Sequence, residues 1–244
     1  MEIFLHPESW IALLTLTFLE IVLGVDNIIF ISLVTQRVAA KDQRKARNLG
    51  LILALGFRIL LLMSITAIIQ LKEPLFSIFG TGISGRDLIL AGGGFFLIGK
   101  STSEIHHKVS IGPGGEEEHQ REKKASFWST IVQIILLDII FSIDSILTAI
   151  GLSDQVLLMI LAVIIAMGVM MLFASRISAL ISRYPTLQIL ALAFLILIGF
   201  TLLLEVEALP FHVHIEKGFI YFAVFFSLSV EMLNITMRKP KKNK

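Results

Sequence analysis

Apolar residues fill long stretches of this chain, and polar residues gather in short segments between them. A helix that crosses a bilayer needs about 20 mostly apolar residues. The third candidate is the least clear, because its uncharged part runs only from Leu88 to Gly99, and a re-entrant or buried helix is the alternative. The pattern predicts an all-α membrane protein with seven transmembrane helices, at residues 10–34, 48–70, 87–104, 127–151, 155–175, 187–205 and 217–237.

The placement of basic residues decides in favour of seven spans. With seven, most of the 21 lysines and arginines fall on one side of the membrane, in the segments 37–47, 100–124, 176–183 and 238–244. Positive residues mark the cytoplasmic side, and omitting the third span destroys this sorting. We therefore expect a single transmembrane domain over residues 1–244, with the N-terminus outside and the C-terminus in the cytoplasm.

Composition supports the same class of protein. The chain is 55% hydrophobic and 16% charged, with a mean hydropathy of +0.85, and a soluble domain of this length could not solvate so much apolar surface. Membrane lipid is the expected surrounding, and the net charge of +2 gives no reason to expect nucleic acid. The absence of cysteine excludes disulfides and thiolate metal sites. A metal site would therefore use oxygen or imidazole ligands.

An internal repeat divides the chain into two similar halves. Residues 19–28 (LEIVLGVDNI) and 137–146 (LDIIFSIDSI) each hold a carboxylate, a second Asp six positions later and then a small polar residue. A fainter similarity links residues 90–99 with 190–199. Because each half holds three spans, the halves insert in opposite orientations, as in many secondary transporters. The predicted divisions are repeat one at about 10–104, a cytoplasmic loop at about 105–125, repeat two at about 126–206, and a seventh helix at about 217–237.

Four carboxylates lie inside the spans of the two motifs. An ionisable group at this depth costs on the order of 2.5–3.5 kcal/mol even on the lenient scale. Arg58 is the one base clearly inside a predicted span, so it is the expected charge partner and cannot neutralise four acids. A bound cation, or protonation, must account for the rest. The predicted metal ligands are Glu20, Asp26, Asn27, Asp138 and Asp144.

Helix geometry leaves two arrangements open for these acids. Positions six apart on a straight helix point about 120° away from each other and lie about 9 Å apart along the axis. One arrangement therefore has two levels of carboxylate along a path between the first and fourth spans. The other has local unwinding near Gly24 and Ser142, which would bring the acids together and free backbone carbonyls.

Further polar residues are candidates for the transport path. On the seventh span, Ser227, Glu231 and Asn234 form one polar stripe, and we expect Glu231 and Asn234, with Ser145 of the second motif, to contribute to that path. An all-oxygen ligand set suits Mn²⁺, Ca²⁺ or Mg²⁺. The sequence lacks hydrolase signatures such as His-Glu-x-x-His or Gly-x-Ser-x-Gly, so we do not expect an enzyme.

Residues 19–30 (LEIVLGVDNIIF) and 136–146 (LLDIIFSIDSI) resemble the paired signatures of the TerC family of bacterial membrane proteins. The likeness covers nearly the whole chain, about residues 10–237, and matches the short form, without an appended cytoplasmic domain. It implies a multi-pass protein of the bacterial inner membrane that exports Mn²⁺, which is then a transported ion and not a cofactor. The family's functional positions carry over to Glu20, Asp26, Asn27, Asp138, Asp144 and, with the weakest match, Ser145.

Other functions are compatible with the same sequence. A non-transporting membrane scaffold or metal-sequestering subunit is one alternative, and an exporter of small solutes such as amino acids is another. Because acids outnumber bases inside the spans, protons on the same carboxylates are the hypothetical counter-ion. The sequence does not indicate protein partners.

Overall fold

The predicted spans form long helices in a computed structural model that describes residues 5–78, 81–110, 126–150, 155–209, 213 and 215–237. The description leaves out some side chains inside helices, among them those of Asp26 and Asp144. Within the described residues, one short helix, α3 (Ile65–Gln70), accompanies long helices at α1 (Pro7–Gln36), α2 (Ala40–Met63), α4 (Gly85–Ser110), α5 (Phe127–Ile150), α6 (Val156–Arg183), α7 (Pro185–Leu204) and α8 (Lys217–Met237).

Length and hydropathy identify five candidate membrane spans in the described part of the chain. They are α1, α2, α6, α7 and residues Gly218–Met237 of α8. The apolar run Phe127–Ile143 within α5 is shorter, and α4 is not among the candidates. The chain is thus an all-α polytopic membrane protein, apart from one small β-hairpin. The count of seven spans and the orientation of the termini stay predictions.

The second predicted span and the segment after it differ from the sequence prediction. Residues 48–70 do not form one helix, because α2 ends at Met63 and α3 starts after Ser64. An antiparallel hairpin of β1 (Pro74–Ile78) and β2 (Thr81–Ser84) then precedes α4. Aromatic and β-branched residues in this segment favour extended backbone. The prediction of one continuous helix over 48–70 was therefore wrong, and the hairpin is a small addition to an all-α fold.

The helix α4 starts and ends outside the bounds of the predicted third span. Ser84 and Asp87 form a reciprocal cap, in which the Ser84 backbone N–H donates to Asp87 Oδ2 at 3.0 Å and the Asp87 N–H donates to Ser84 Oγ at 3.1 Å. At the other end, α4 continues to Ser110. The predicted cytoplasmic loop at about 105–125 therefore begins as helix, and residues 111–125 lie outside the described part.

The helices pack in three main pairs. The most extensive contacts join α1 with α6, α2 with α5, and α4 with α7, while α8 packs mainly against α7. Where α4 and α7 meet, Gly94 and Gly199 face each other. A Cβ added to Gly94 would lie 2.6 Å from the Gly199 carbonyl oxygen, and one added to Gly199 would lie 2.9 Å from that of Gly94. Small residues permit such close backbone approach between membrane helices.

Both motif-bearing helices are continuous. The helix α1 runs without interruption through Gly24, and α5 runs through Ser142. Local unwinding at these positions is therefore wrong for this conformation. On straight helices the first and second acids of each motif lie at two levels along the axis.

Candidate functional site

One arginine joins the first acids of the two motifs. Arg58 of α2 places Nη1 at 2.6 Å from Glu20 Oε2 on α1, and Nη2 at 3.6 Å from Asp138 Oδ1 on α5. All three residues are buried, and only 2% of Arg58 is exposed. Two equivalent carboxylates from the two halves of the chain therefore share a single guanidinium.

Ser142 completes this buried cluster. Arg58 Nε donates a hydrogen bond to Ser142 Oγ at 2.7 Å, and Ser142 Oγ donates to Asp138 Oδ2 at 3.2 Å. Ser142 and Asp138 are one helical turn apart on α5, so both face α2. All three kinds of guanidinium nitrogen thus contact a side chain of α1 or α5. This network holds the three helices in register.

The cluster is electrostatically unbalanced. Glu20 and Asp138 carry two negative charges in their ordinary ionised form, and Arg58 supplies one positive charge. The contact with Glu20 has the length of a strong charge-assisted hydrogen bond, about 2.7–2.9 Å, whereas the contact with Asp138 is longer. Arg58 therefore divides its single positive charge between the two carboxylates. A buried excess of negative charge favours a further cation or a proton.

The second acids of the motifs, Asp26 and Asp144, have side chains outside the described part of the chain. Their neighbours Asn27 and Ser145 are described and are both buried. These two residues line one cavity of about 70 Å³, with Arg58 in the same wall. By the usual space that a buried water needs, about 10–15 Å³ on this measure, a few water molecules would fit. The structure therefore brings Glu20, Asp138 and Arg58 into one cluster and sets Asn27 and Ser145 beside it.

The cavity also contains residues that the sequence analysis missed. Thr201 and Glu205 of α7 and Tyr221 of α8 contribute polar groups to its lining. Glu205 is 8% exposed and follows the last residue of α7. In the sequence, Glu205 is the last residue of the predicted span 187–205, where it marks the end of the span. An acid inside the predicted limits of an apolar span was the signal that could have identified it.

The polar stripe on α8 is separate from this cavity. Asn234 Nδ2 donates to Glu231 Oε2 at 3.3 Å, and Asn234 is exposed. Neither residue lines the cavity. Among the described residues, no three His, Asp or Glu side chains come together as a metal-binding group. The side chains of Asp26 and Asp144 lie outside the described part. The prediction of five metal ligands therefore stays a prediction.

Comparison with known proteins gives matches over almost the entire chain. Residues 5–244 match the family model described as integral membrane protein TerC family. The UPF0053 inner membrane protein YgdQ of Escherichia coli strain K12 is 52% identical over 233 residues, which cover 96% of this chain and 95% of the relative. A UPF0053 protein of Haemophilus influenzae is 50% identical over 236 residues, covering 97% of each chain.

A longer relative contains the same region as part of a larger protein. The UPF0053 inner membrane protein YoaE of Escherichia coli strain K12 is 40% identical over 239 residues, which are 98% of this chain and 45% of the relative. No solved structure is significantly similar to the chain.

Proposed function

The chain belongs to the TerC family of integral membrane proteins of the inner membrane, and we propose that it exports a divalent metal cation, Mn²⁺ first of all, through its intramembrane carboxylates. Family membership suggests a role in membrane transport. The names of the relatives specify no substrate, so the ion and its direction are inferences from the chemistry of the residues.

The unequal charge in the buried cluster carries this proposal. Glu20 and Asp138 share one arginine, and the same two helices contain Asp26 and Asp144 a little farther along the chain. Four acids and one base leave a large negative excess for a low-dielectric region, where each unpaired charge is unfavourable. A divalent cation with oxygen ligands would offset most of that excess. Oxygen ligands suit Mn²⁺, Mg²⁺ or Ca²⁺ better than zinc or copper.

The packing of the helices supports an inverted repeat. In such a repeat, α1, α2 and α4 of the first half correspond to α5, α6 and α7 of the second. A two-fold rotation that exchanges the halves would then turn the α1–α6 pair into the α5–α2 pair. The same rotation would turn the α4–α7 pair into itself. These are the three most extensive pairs in the structure. Such a relation would place the acids near the axis between the halves, where inverted-repeat transporters bind their substrates.

Matching motif positions make similar interhelical contacts. Ser142 of α5 contacts Arg58 of α2, and Gly24, at the same position of the first motif, lies against Met170 of α6. The first half therefore presents a guanidinium to the motif helix of the second half, and the second half presents a thioether to the motif helix of the first. This difference supports a single charge-balancing arginine that serves both halves.

In the proposed mechanism, the two pairs of acids, at different depths along α1 and α5, have different tasks. Arg58 holds Glu20 and Asp138 in the described conformation, and we assign Asp26, Asp144 and Asn27 as the ligands of an entering ion. Rocking of one half against the other would then expose the ion to the outside. Protons that bind the same acids after release of the metal would restore the balance of charge.

Flux into liposomes tests the proposal directly. Purified protein should transport Mn²⁺ in preference to Ca²⁺, Mg²⁺ and Zn²⁺ present as competitors, and Asp26→Asn should abolish the flux. Asp42→Asn, the same change in the first turn of α2 on the predicted cytoplasmic side, should transport normally. If the wild-type protein moves no divalent cation under a proton gradient, the export function is wrong, and a non-transporting or small-solute role would replace it.

A further inference from the structure

Glu205 occupies an electrostatically unfavourable position. It is the C-cap of α7, so its carboxylate lies at the negative end of that helix's dipole. Only 8% of the residue is exposed, and water therefore screens the charge poorly. A buried acid at this end of a helix favours a nearby cation.

Arg86 of α4 supplies part of the required positive charge. Its Nη2 lies 3.4 Å from Glu205 Oε2, and its Nη1 lies 3.4 Å from the Glu205 carbonyl oxygen. The same guanidinium is 3.9 Å from Glu207 Oε1. Arg86 therefore provides a single positive charge that two glutamates share.

The cavity brings Glu205 close to Asn27 and Ser145, the polar residues that follow the second acid of each motif. Glu205, Thr201, Asn27 and Ser145 all line it. Asn27 is 7% exposed, and its side chain makes no hydrogen bond to the described part of the chain. Buried amides in native proteins are normally hydrogen-bonded, so we expect a partner beyond the described residues, such as a water or an ion.

The hydroxyl groups in the cavity are oriented as oxygen ligands. Thr201 Oγ1 donates its proton to the Ile198 carbonyl at 2.8 Å, and Ser145 Oγ donates to the Ser142 carbonyl at 3.2 Å. Since each proton is directed to its own helix, the lone pairs of both oxygens are available for a cation. Carboxylate, amide and hydroxyl oxygens are the donors that hard divalent cations prefer.

We propose that Glu205 is the charged ligand of a second cation site in this cavity, completed by Ser145 and Thr201 and sharing Asn27 with the site of the motif acids. Its ligand is a partly hydrated divalent cation. The proposal rests on the export function above and extends it, because the C-terminal end of α7 lies on the outside in the predicted topology. An ion that leaves the motif acids would pass to Glu205 before release. Arg58 also lines the cavity, but Glu20 and Asp138 share its charge.

Comparison of two neighbouring glutamates in the liposome assay tests the site. Glu205→Gln should reduce Mn²⁺ flux at least tenfold. Glu207→Gln is the matched control, because Glu207 contacts the same arginine but its side chain is 73% exposed, and its flux should equal that of the wild type. Normal flux in Glu205→Gln would overturn the proposal while leaving the export function in place.

A double variant separates a cation ligand from a residue that only pairs with Arg86. If Glu205 merely balances Arg86, then Arg86→Gln combined with Glu205→Gln removes both charges and should restore flux. If Glu205 binds the transported ion, the double variant should stay at least tenfold impaired. Recovery of flux in the double variant would therefore refute the second site.

Equilibrium binding of Mn²⁺, followed by electron paramagnetic resonance in detergent, provides a test that needs no transport. A variant carrying Asp26→Asn and Asp144→Asn should keep one weakly bound Mn²⁺, and adding Glu205→Gln should abolish it. Absence of the weak ion in the first variant would contradict the site. If the wild-type protein transports no divalent cation but the weak ion still binds and depends on Glu205, the site would stand and the export function would be wrong.

Discussion

Arg58 Nη1 and Glu20 Oε2 lie 2.6 Å apart between α2 and α1, and both residues are shielded from solvent. The pair joins a base of the first half to the first acid of the first motif, while the same guanidinium reaches Asp138 in the second half. Removing one member of such a network leaves an uncompensated buried charge, which is much more unfavourable than losing the pair as a whole.

Arg58→Ala should therefore affect folding more than metal affinity. The expected loss of stability is about 3–5 kcal/mol, because two buried carboxylates would lose their counter-charge. Thermal unfolding and yield in detergent would measure it, and Mn²⁺ titration of the folded fraction would measure affinity. Wild-type yield and stability in this variant would contradict the structural role.

Arg47→Ala is the matched control for this experiment. Arg47 is also buried on α2, but its Nη2 donates to the neutral hydroxyl of Ser175 at 2.7 Å. The loss of stability should be smaller than that of Arg58→Ala, since no carboxylate of the described residues forms an ion pair with Arg47. Equal losses would show that burial of an arginine, and not its pairing with acids, determines the effect.

Asp144→Asn should abolish Mn²⁺ efflux as completely as Asp26→Asn. The two acids occupy the same position in the two motifs, so an inverted repeat would bring both to one ion. Flux in liposomes would measure activity, and size-exclusion profiles would verify that both proteins remain folded. Normal transport by either variant would mean that the ion binds elsewhere.

A pH gradient should drive Mn²⁺ transport if protons are the counter-ion. In exchange, protons move against the metal, so flux should accelerate when the compartment that receives Mn²⁺ is the more acidic one. Reversing the gradient should slow the flux by a similar factor. Stopped-flow measurements with a manganese-quenched dye would detect the difference, and flux indifferent to both gradients would exclude proton coupling.

Gly94→Ala should destabilise the protein. A methyl group at this position would collide with the Gly199 carbonyl and with Leu203, and overpacking of this kind typically costs about 1–3 kcal/mol. Gly92→Ala, two residues earlier on the same helix, meets no atom within 4 Å. Its stability should be unchanged or higher by up to roughly 1 kcal/mol, since alanine favours helix. Thermal unfolding of the two variants gives the comparison.

The sequence predicted the helices well because the hydropathic signal of a membrane span is long and strong. It failed around residues 64–84, where a short polar break, a six-residue helix and a hairpin replace the end of a span. Segments of this size carry too few residues for a periodic signal. The break after Met63 could not have been located by hydropathy, because apolar residues continue on both sides of Ser64.

The three charged residues of the buried cluster were predictable from sequence, but their pairing was not. Sequence identified Arg58 as the base available to several acids, and only packing shows that it contacts Glu20 and Asp138 together. That selection follows from the continuity of α1 and α5, since residues six apart on a straight helix cannot both face α2. Glu205 was missed because it ends an apolar stretch, and the ends of spans commonly carry charge.

The close approach of Gly94 and Gly199 has a mechanical meaning as well. These glycines belong to different halves of the proposed repeat, and near the start of α4 the carboxylate of Asp87 accepts a hydrogen bond from the Glu207 backbone N–H at 2.9 Å. The glycine contact and this hydrogen bond would keep α4 and α7 together, so that the two halves would rotate about the α4–α7 pair. Spin labels placed on these two helices should keep a constant separation throughout the transport cycle, while labels on α1 and α2 should move apart and return.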